Sequence, residues 1–463
     1  MLSHSLLSAQ DSHYWNLQYG SKGMLLGGTL TSGVYENTAV YYNPAALAFV
    51  NYSHVSINAT AYKYEALRLK NGGGQNIDFA SNRFSTYPQM MSNMLTHNPE
   101  RRLKVGLMIF TRNSSQIDIT ALTRSKIDVL PHSAGEEDYF GNYDYQNLVN
   151  EPWAGIGLGY KINEHFSIGW STFLTYRNQR YLINISARAA SPSVEDLFLS
   201  VYQYRDELRI NNLKFVNKIG LHGNYNGWRV GLNITLPSIQ LAGWSRIKRE
   251  IVFQDLPNNM TGILIDQQKG VKTNYRLPYS IAFGIGHKFE HAWIGLNMEY
   301  FGRIGAYRMI SATTTNIAYP NNLNYNITDF LSYYNYANEV FNIGIAADFN
   351  LNDAWSIQAS FRTDNSYHRK PNRAITPDMN FVNSPKYNLY HTTIGFSLRR
   401  KASLMSLGVS YGYGFSNDAQ QLVNFSHPMY ENNLLGYTTS GNRMRSHSFT
   451  ISTGYTYYFA LKQ

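Results

Sequence analysis

Long stretches in which apolar and polar residues alternate are the feature that most restricts how this chain of 463 residues can fold. Between residues 154 and 176, apolar positions alternate with glycine, serine and lysine, and a short polar turn at Asn163 and Glu164 divides the stretch in two. Side chains along a strand point alternately to its two faces. The period of two therefore predicts two antiparallel strands in a hairpin, each with one apolar face.

Five further hairpins of this kind bring the number of predicted strands to twelve. Their turns are predicted at 113–115, 224–227, near 290, at 350–353 and near 401. A first strand at 55–69 and a last strand at 446–459 raise the total to fourteen.

Seven long connections then alternate with the short turns. They cover residues 70–101, 130–151, 188–212, 237–275, 310–336, 369–385 and 419–442. An even number of strands, with short turns at one end and long loops at the other, is typical of bacterial outer-membrane barrels. We predict an all-β, transmembrane antiparallel β-barrel of about 14 strands over residues 52–463, with seven long extracellular loops.

Composition agrees with a membrane barrel. Charged residues make up 15% of the chain, against roughly 25% in an ordinary soluble protein. Aromatic residues reach 14%, with 37 tyrosines, which suits the aromatic girdles of a barrel. The mean hydropathy is −0.35, and no apolar run approaches the roughly 18 residues of a spanning helix. This argues against an α-helical membrane protein.

If the apolar faces of the strands meet lipid, the opposite faces line the lumen. Arg or Lys on the lipid side at mid-membrane costs roughly 2–4 kcal/mol, so basic residues belong inside. The predicted lumenal basic residues are Lys104, Lys161, Arg177, Arg229, Arg303 and Arg362. Lys218, Glu299 and Asp348 belong to the same predicted inward face.

Several kinds of function are disfavoured. Without cysteine, disulfides and thiolate metal sites are excluded. Gly-x-Ser-x-Gly and His-Glu-x-x-His motifs are absent and the 13 histidines are scattered, so we predict no enzyme activity, no metal and no cofactor. The formal net charge of +10 is spread without a basic run, which disfavours a nucleic-acid partner.

Two of the predicted loops contain apolar residues at helical spacing. One set follows Pro88 and the other follows Ser193, a candidate helix N-cap. The residues are Met90, Met91, Met94, Leu95, Leu197, Phe198, Val201 and Tyr202. We predict short helices that capture a hydrophobic ligand at the outer mouth, although local packing under a loop would leave the same pattern.

The N-terminal region lacks the strand rhythm. Residues 1–9 are similar to the tail of a secretory signal, with cleavage expected near Ala9. Residues 10–51 are rich in Gly, Ser, Thr and Asn, and are too polar to cross lipid. A fourteen-stranded barrel is wide enough to leak unless it is filled, so we predict that this segment plugs the lumen.

The end of this segment carries a resemblance to a known family. Gly20, Gly23, Gly27 and Gly28 precede the motif Tyr42, Asn43, Pro44, Ala45, Ala46 and Leu47. Together they resemble the N-terminal hatch of the FadL family of outer-membrane transporters for hydrophobic compounds. The abundance of Tyr and Asn is also similar to that of Bacteroidota outer-membrane proteins.

The resemblance implies passive uptake of hydrophobic molecules such as long-chain fatty acids across the bacterial outer membrane. Ligand would be captured at the outer loops, pass to a lumenal pocket and leave through the wall when the hatch moves. A second hypothesis stays open, because some FadL-like barrels, of the PorV type, bind secreted proteins. Tyr- and Asn-rich loops such as residues 318–339 suit that role as well.

Overall fold

The fold is a closed antiparallel barrel around an N-terminal plug. The computed structural model describes residues 12–33, 36–96, 98, 100–191, 198–256, 260–313, 318–319, 329–368, 379–382 and 386–459. The predicted signal remnant at residues 1–9 lies outside them. Among these residues, none of the helices is long and apolar enough to span a membrane.

Fourteen strands, counted over the described residues, form the barrel wall. They are β1 (His54–Leu69), β2 (Phe79–Met94), β3 (Leu103–Ile127), β4 (Glu137–Lys161), β5 (Phe166–Ala190), β6 (Leu199–Tyr225), β7 (Trp228–Thr235 and Ile239–Leu256), β8 (Met260–Lys272 and Ser280–Lys288), β9 (Ala292–Phe301), β10 (Val340–Asn350), β11 (Trp355–Asp364), β12 (Asn388–Arg400), β13 (Ser403–Ala419) and β14 (Asn442–Tyr458). Each strand pairs antiparallel with the next, and β14 pairs with β1, from Tyr458 opposite His54 to Met444 opposite Leu69, which closes the barrel.

The predicted fold class is confirmed, but several strand boundaries differ from the prediction. The predicted turn at 113–115 is wrong, because β3 continues through a bulge between Thr111 and Asn113. The predicted loop helix after Pro88 is also wrong, since residues 79–94 form β2. The false turn divided β3 into two predicted strands, and β2 was not predicted at all. The predicted total of fourteen strands is therefore still correct.

The two ends of the barrel differ in their connections. Short turns at residues 162–165, 226–227, 289–291, 351–354 and 401–402 lie at one end, the inner end. At the other end, the outer end, β3 to β6 extend to 25–27 residues. Predicted loops at 130–151, 188–212 and 237–275 are therefore mostly strand. Above the membrane the outward faces of these strands are polar. The sequence therefore loses the apolar outward face that marks a lipid-facing strand, although the backbone hydrogen bonds between the strands continue.

An exposed apolar belt surrounds the inner part of the wall. On β5 the exposed side chains Phe166, Ile168, Trp170, Leu174 and Tyr176 share one face. Ten residue steps at about 3.3 Å reach about 33 Å along the strand, or about 25 Å along the axis of a tilted barrel, which matches the usual apolar band. The belt is the lipid-facing surface.

One seam of the wall is open over part of its length. β2 and β3 pair only between Met90–Met94 and Gly106–Phe110. The β2–β3 ladder stops just before a bulge between Thr111 and Asn113 in the β3–β4 ladder, and farther out Ser81 Oγ accepts a hydrogen bond from the Asp118 amide at 3.0 Å. This stretch of the β2–β3 seam lacks ladder pairing, and we call it the wall gap.

The short elements of the plug are a helical turn, Ala39–Tyr42, and a 3₁₀ helix, Pro44–Phe49. The Asn43 side chain caps the 3₁₀ helix by accepting a hydrogen bond from the Ala45 amide at 3.1 Å, and Pro44 occupies its first turn, where an amide hydrogen is not needed. Most of the plug is buried against the inner face of the wall.

Candidate functional site in the barrel lumen

The hatch motif sits in a groove of the barrel wall. Ala45, Ala46 and Leu47 are fully buried. A Cβ added at Gly169 would overlap Pro44 and Ala45, and one at Gly159 would lie 2.8 Å from the Pro44 oxygen and the Ala48 amide. Inward-facing glycines therefore let the plug backbone approach the wall as closely as the Asn-Pro-Ala-Ala sequence requires.

Polar side chains of the motif join the plug to itself and to the wall. Asn43 Nδ2 donates to the Thr31 oxygen at 2.8 Å and to the Leu221 oxygen of β6 at 3.0 Å. The Tyr42 hydroxyl donates to Gln18 Oε1 and accepts from the Tyr19 amide, both at 2.9 Å. The motif thus satisfies buried backbone groups in a segment that has no ladder of its own.

Ion pairs and hydrogen bonds anchor other parts of the plug. Lys22 Nζ lies 2.6 Å from Asp348 of β10. Arg229 donates to the Gly33 oxygen at 2.9 Å, and Arg362 donates to the Trp15 and Asn16 oxygens at 3.2 and 3.3 Å. Two of the predicted lumenal basic residues therefore hold the plug in place.

Burial raises the pKa of Glu36, a plug carboxyl, to about 7, while the nearby Lys22 opposes that shift. Its carboxylate lies 3.3 Å from the Lys22 amide. Because the shift is driven by loss of water, the protonated carboxyl is the form that the docked plug favours.

At the outer end, buried apolar side chains fill the lumen and form what we call the outer cluster. It contains Phe79, Tyr139, Tyr143, Tyr145, Tyr181, Ile183, Ile185, Tyr202, Tyr204, Leu208, Ile210, Ile247 and Tyr275 from the wall and its continuations. Connecting segments complete it, with Phe330, Leu331, Tyr333, Val423, Phe425, Leu434 and Leu435. The mouth is therefore covered by inserted loop residues.

A buried ion pair holds one of these inserts. Arg249 lies 2.8 Å from Asp206 and also donates to the Phe330 oxygen. The Tyr333 hydroxyl donates to Asp206 at 2.5 Å. Residues 333–337 pair with residues 304–310 in a separate two-stranded sheet. The insert is thus tied to the wall by charge and hydrogen bonding.

Between the outer cluster and the plug lies a partly open pocket with a cavity volume of about 50 Å³. Residues from the plug, from seven strands and from the connecting segments line this lumenal pocket. They are Tyr14, Tyr41, Arg112, Asn113, Glu151, Trp153, Arg177, Val216, Lys218, Thr235, Tyr275, Leu277, Pro278, Ser280, Glu299, Phe301 and Tyr367. Tyr275 belongs to both the pocket and the outer cluster, so the two are continuous.

The pocket wall combines aromatic rings with buried charges. Arg177 lies 2.8 Å from Glu151, which also accepts from Trp153 Nε1 at 2.9 Å. The Arg177 guanidinium lies 4.2 Å from the centre of the Tyr275 ring. Lys214, fully buried behind the same ring, has its ammonium 4.6 Å from the ring centre.

A second set of charges lies at the plug side of the pocket. Glu299 accepts from Trp15 Nε1 at 2.7 Å and from Ser280 at 2.6 Å. The Lys218 ammonium lies 4.3 Å from the centre of the Tyr41 ring of the plug. Aromatic faces stabilise cations that have left water, so the pocket can offer positive charge beside apolar surface.

The six predicted basic residues are dispersed along the barrel and do not form one cluster. Arg177 alone among the six lines the pocket. Lys104 is buried near the inner end and donates to the Asn98 oxygen at 2.8 Å, while Lys161 pairs with Glu164 at 2.6 Å in the turn. Arg303 is an exposed residue just after β9.

The predicted capture residues separate into two groups. The loop position predicted for Met90, Met91, Met94 and Leu95 is wrong. Met90 and Met94 are buried beside the plug at the inner end of β2, and Met91 and Leu95 are exposed. Because the strand continues through Pro88 by a shift of register, the helical spacing there was accidental.

The second group does lie at the outer end. Phe198 packs against the outer cluster and Tyr202 is buried in it, but Val201 and Tyr202 belong to strand β6 and not to a helix. Leu197 lies outside the described residues. Sequence reasoning missed Arg112, Glu151, Lys214 and Tyr275, because three of them fell in or beside predicted turns and loops and Lys214 has no distinguishing motif.

This chain is similar to known proteins in structure. No protein-family model matches it, and no curated protein matches it. Solved structures do. The Pseudomonas putida toluene transporter TodX has 12% sequence identity and a TM-score of 0.59, over 96% of this chain and 100% of that chain.

Two other solved structures are similar to this chain over the same extent. A Pseudomonas aeruginosa FadL homologue has a TM-score of 0.56 at 12% identity, over 98% of this chain and 100% of its own. The Ralstonia pickettii toluene transporter TbuX has a TM-score of 0.55 at 12% identity, over 96% and 100%. The chain therefore has the fold of FadL-type barrels, a closed fourteen-stranded antiparallel wall around an N-terminal plug.

Proposed function

We propose that this protein is a channel of the bacterial outer membrane that takes up hydrophobic small molecules passively. The observation that carries the proposal is the continuity between the outer cluster and the lumenal pocket through Tyr275. An apolar solute that leaves water for this surface gains roughly 25 cal/mol per Å² of buried apolar area. The exposed belt and the likeness to barrels described as toluene transporters and a FadL homologue support an outer-membrane position.

Long-chain fatty acids are the solutes that we propose within this class. Arg177, Lys218 and Lys214 lie around the aromatic walls of the pocket, and a carboxylate needs a fixed cation when it leaves water. The acyl chain would extend into the outer cluster. Phe198 and Tyr202 remain candidates for capture at the mouth, together with the aromatic insert around Tyr333.

The wall gap offers an exit for such a solute. Arg112 and Asn113, which line the pocket, lie at the bulge of β3, next to the point where the β2–β3 ladder ends. On the other side of that bulge, a second and more polar cavity is lined by Ser81, Arg83, Ser115 and Gln116. We propose that movement of the plug at Tyr41 joins the pocket to this gap and lets the solute leave sideways.

Uptake of a labelled long-chain fatty acid tests the function. Cells that carry the Tyr275→Ala variant should take up the label several-fold more slowly than cells with the natural protein. Tyr225, an exposed tyrosine at the inner end of β6, gives the matched control Tyr225→Ala, which should leave uptake unchanged.

Mass spectrometry of gently extracted protein should find a co-purified hydrophobic compound. The proposal fails if the protein carries none and if deletion leaves uptake unchanged. Co-purification of a protein in equal amount, with unchanged uptake, would instead support the protein-binding role.

A further inference from the structure

A row of four basic side chains crosses four neighbouring strands on the outside of the barrel. The strand register places Arg180 of β5 directly opposite Arg209 of β6, Arg209 opposite Arg246 of β7, and Arg246 opposite Lys269 of β8. All four are exposed. Because neighbouring strands lie about 4.8 Å apart, four positive charges fall within about 15 Å. We call these residues the basic row.

The basic row lies just beyond the apolar belt. On β5 the exposed apolar residues end at Tyr176, and Arg180 is the second outward-facing position after it. On β7, Arg246 follows the exposed Trp244 on the same face. Aromatic residues mark the boundary between the hydrocarbon layer and the head groups. The row is therefore level with the lipid head groups of the outer leaflet.

The charges of the row are not balanced by the protein. Like charges placed directly opposite on neighbouring strands destabilise a sheet. Over the described part of the chain, the four residues form no ion pair and no hydrogen bond. The nearest acidic residues, farther out on the same strands, are already paired, Glu207 with Arg205 at 2.5 Å and Glu250 with Lys248 at 3.1 Å.

Just below the row, on the side toward the apolar belt, amide and aromatic side chains appear on the surface. Asn178 and Asn211 form a cross-strand hydrogen bond at 2.8 Å, and Lys272 stands beside Trp244. The surface therefore offers several cations above, amides and an aromatic edge at the boundary, and apolar side chains below. A phosphorylated lipid has this order of groups along its length, with phosphates outside and acyl chains inside.

We propose that the basic row binds the phosphates of a phosphorylated lipid in the outer leaflet, whose acyl chains lie on the apolar belt of β5 to β8. Four cations across four strands match two phosphates on one head group better than the single phosphate of an ordinary phospholipid. This site is on the outside of the wall and does not depend on the lumenal pocket.

Binding of diphosphorylated lipid A to the purified full chain tests the proposal. The apparent dissociation constant is measured by native mass spectrometry from zwitterionic detergent. In the variant Arg209→Gln/Arg246→Gln, which removes the middle of the row, affinity should fall about thirty-fold, since each basic residue near charged head groups contributes about a factor of five.

The matched control is Arg124→Gln/Lys126→Gln. It removes the same charge from outward-facing positions of β3, where Arg124 has Asp138 as a partner at 3.2 Å. Its affinity for lipid A should stay within about two-fold of the natural protein. Heat-modifiable migration on gels confirms that both variants fold.

Four outcomes would overturn the proposal. Affinity equal to that of the natural protein in Arg209→Gln/Arg246→Gln would remove the row from the site. An equal loss in the β3 control would mean that only total charge matters. Equal binding of dephosphorylated lipid A, or displacement of lipid A by inorganic phosphate at the same concentration, would show that the phosphorylated lipid is not the ligand.

Discussion

The two ends of the lumen are packed in opposite ways. The outer cluster is built from large aromatic and aliphatic side chains, several of them on inserted loops. The plug interface is built from glycines, small polar groups and backbone hydrogen bonds, with side chains such as Asn43 and Arg362 reaching across. The comparison teaches that the mouth is adaptable, because side chains can repack, whereas the plug interface depends on backbone contact and tolerates little change.

The boundary between the two regions should be the most sensitive point. Glu151→Gln leaves Arg177 and Lys214 buried without their carboxylate, and we expect a loss of about 3–5 kcal/mol in the free energy of unfolding. Denaturant unfolding followed by circular dichroism measures it. The control Asp138→Asn removes the exposed pair with Arg124 and should cost at most about 1 kcal/mol. Equal losses of unfolding free energy in the two variants would mean that burial does not make the Arg177–Glu151 ion pair more important than an exposed one.

The plug interface should reject a single added side chain. In Gly231→Val, the new Cβ would overlap the Thr31 backbone, so we expect a loss of about 1–3 kcal/mol or more, and faster proteolysis of the plug. Gly305, in the segment 304–310 that pairs with residues 333–337, has open space around its Cβ position, and Gly305→Val should be nearly neutral. If both variants behave alike, the contrast between the two regions is wrong.

Plug docking should weaken as pH rises. Glu36 has a pKa of about 7 in the folded protein, above its ordinary value of 4.5. The protonated carboxyl is favoured in the folded state, so its contribution is fully present below pH 4.5 and is lost as pH rises through about 7. Lys22, Asp348 and Arg399 are the charged groups that face it.

Hydrogen exchange of the plug amides between pH 5 and 8, corrected for the intrinsic rate, measures this effect. Glu36→Gln should flatten the dependence. A slope that persists in the variant would assign the pH dependence to another group.

The smallest effect is expected at the mouth. Tyr333→Phe removes the hydrogen bond to Asp206, whose charge Arg249 still balances, so we expect a loss of about 1–2 kcal/mol. Limited proteolysis should detect faster cleavage of the 329–337 insert. Tyr437→Phe, at a largely exposed tyrosine, is the control and should leave cleavage unchanged. An unchanged cleavage rate in Tyr333→Phe would show that the insert is held by apolar packing alone.

The sequence by itself determined the fold class. Alternation around residues 154–176 and the short turns at 163–164 and near 401 are local signals, and the structure has these hairpins. The glycine-rich segment before Tyr42 likewise pointed to a plug, because it lacks the alternation of a barrel strand and is too polar to cross lipid.

Only the tertiary structure decided how the strands meet. The wall gap, the pocket around Glu151 and Arg177, and the basic row all depend on the register between neighbouring strands. Alternation states which face a residue occupies, but not which residue stands opposite. Above the membrane the inward faces of the strands carry the apolar side chains of the outer cluster and the outward faces are polar, which reverses the pattern of the belt, while backbone hydrogen bonds continue the wall.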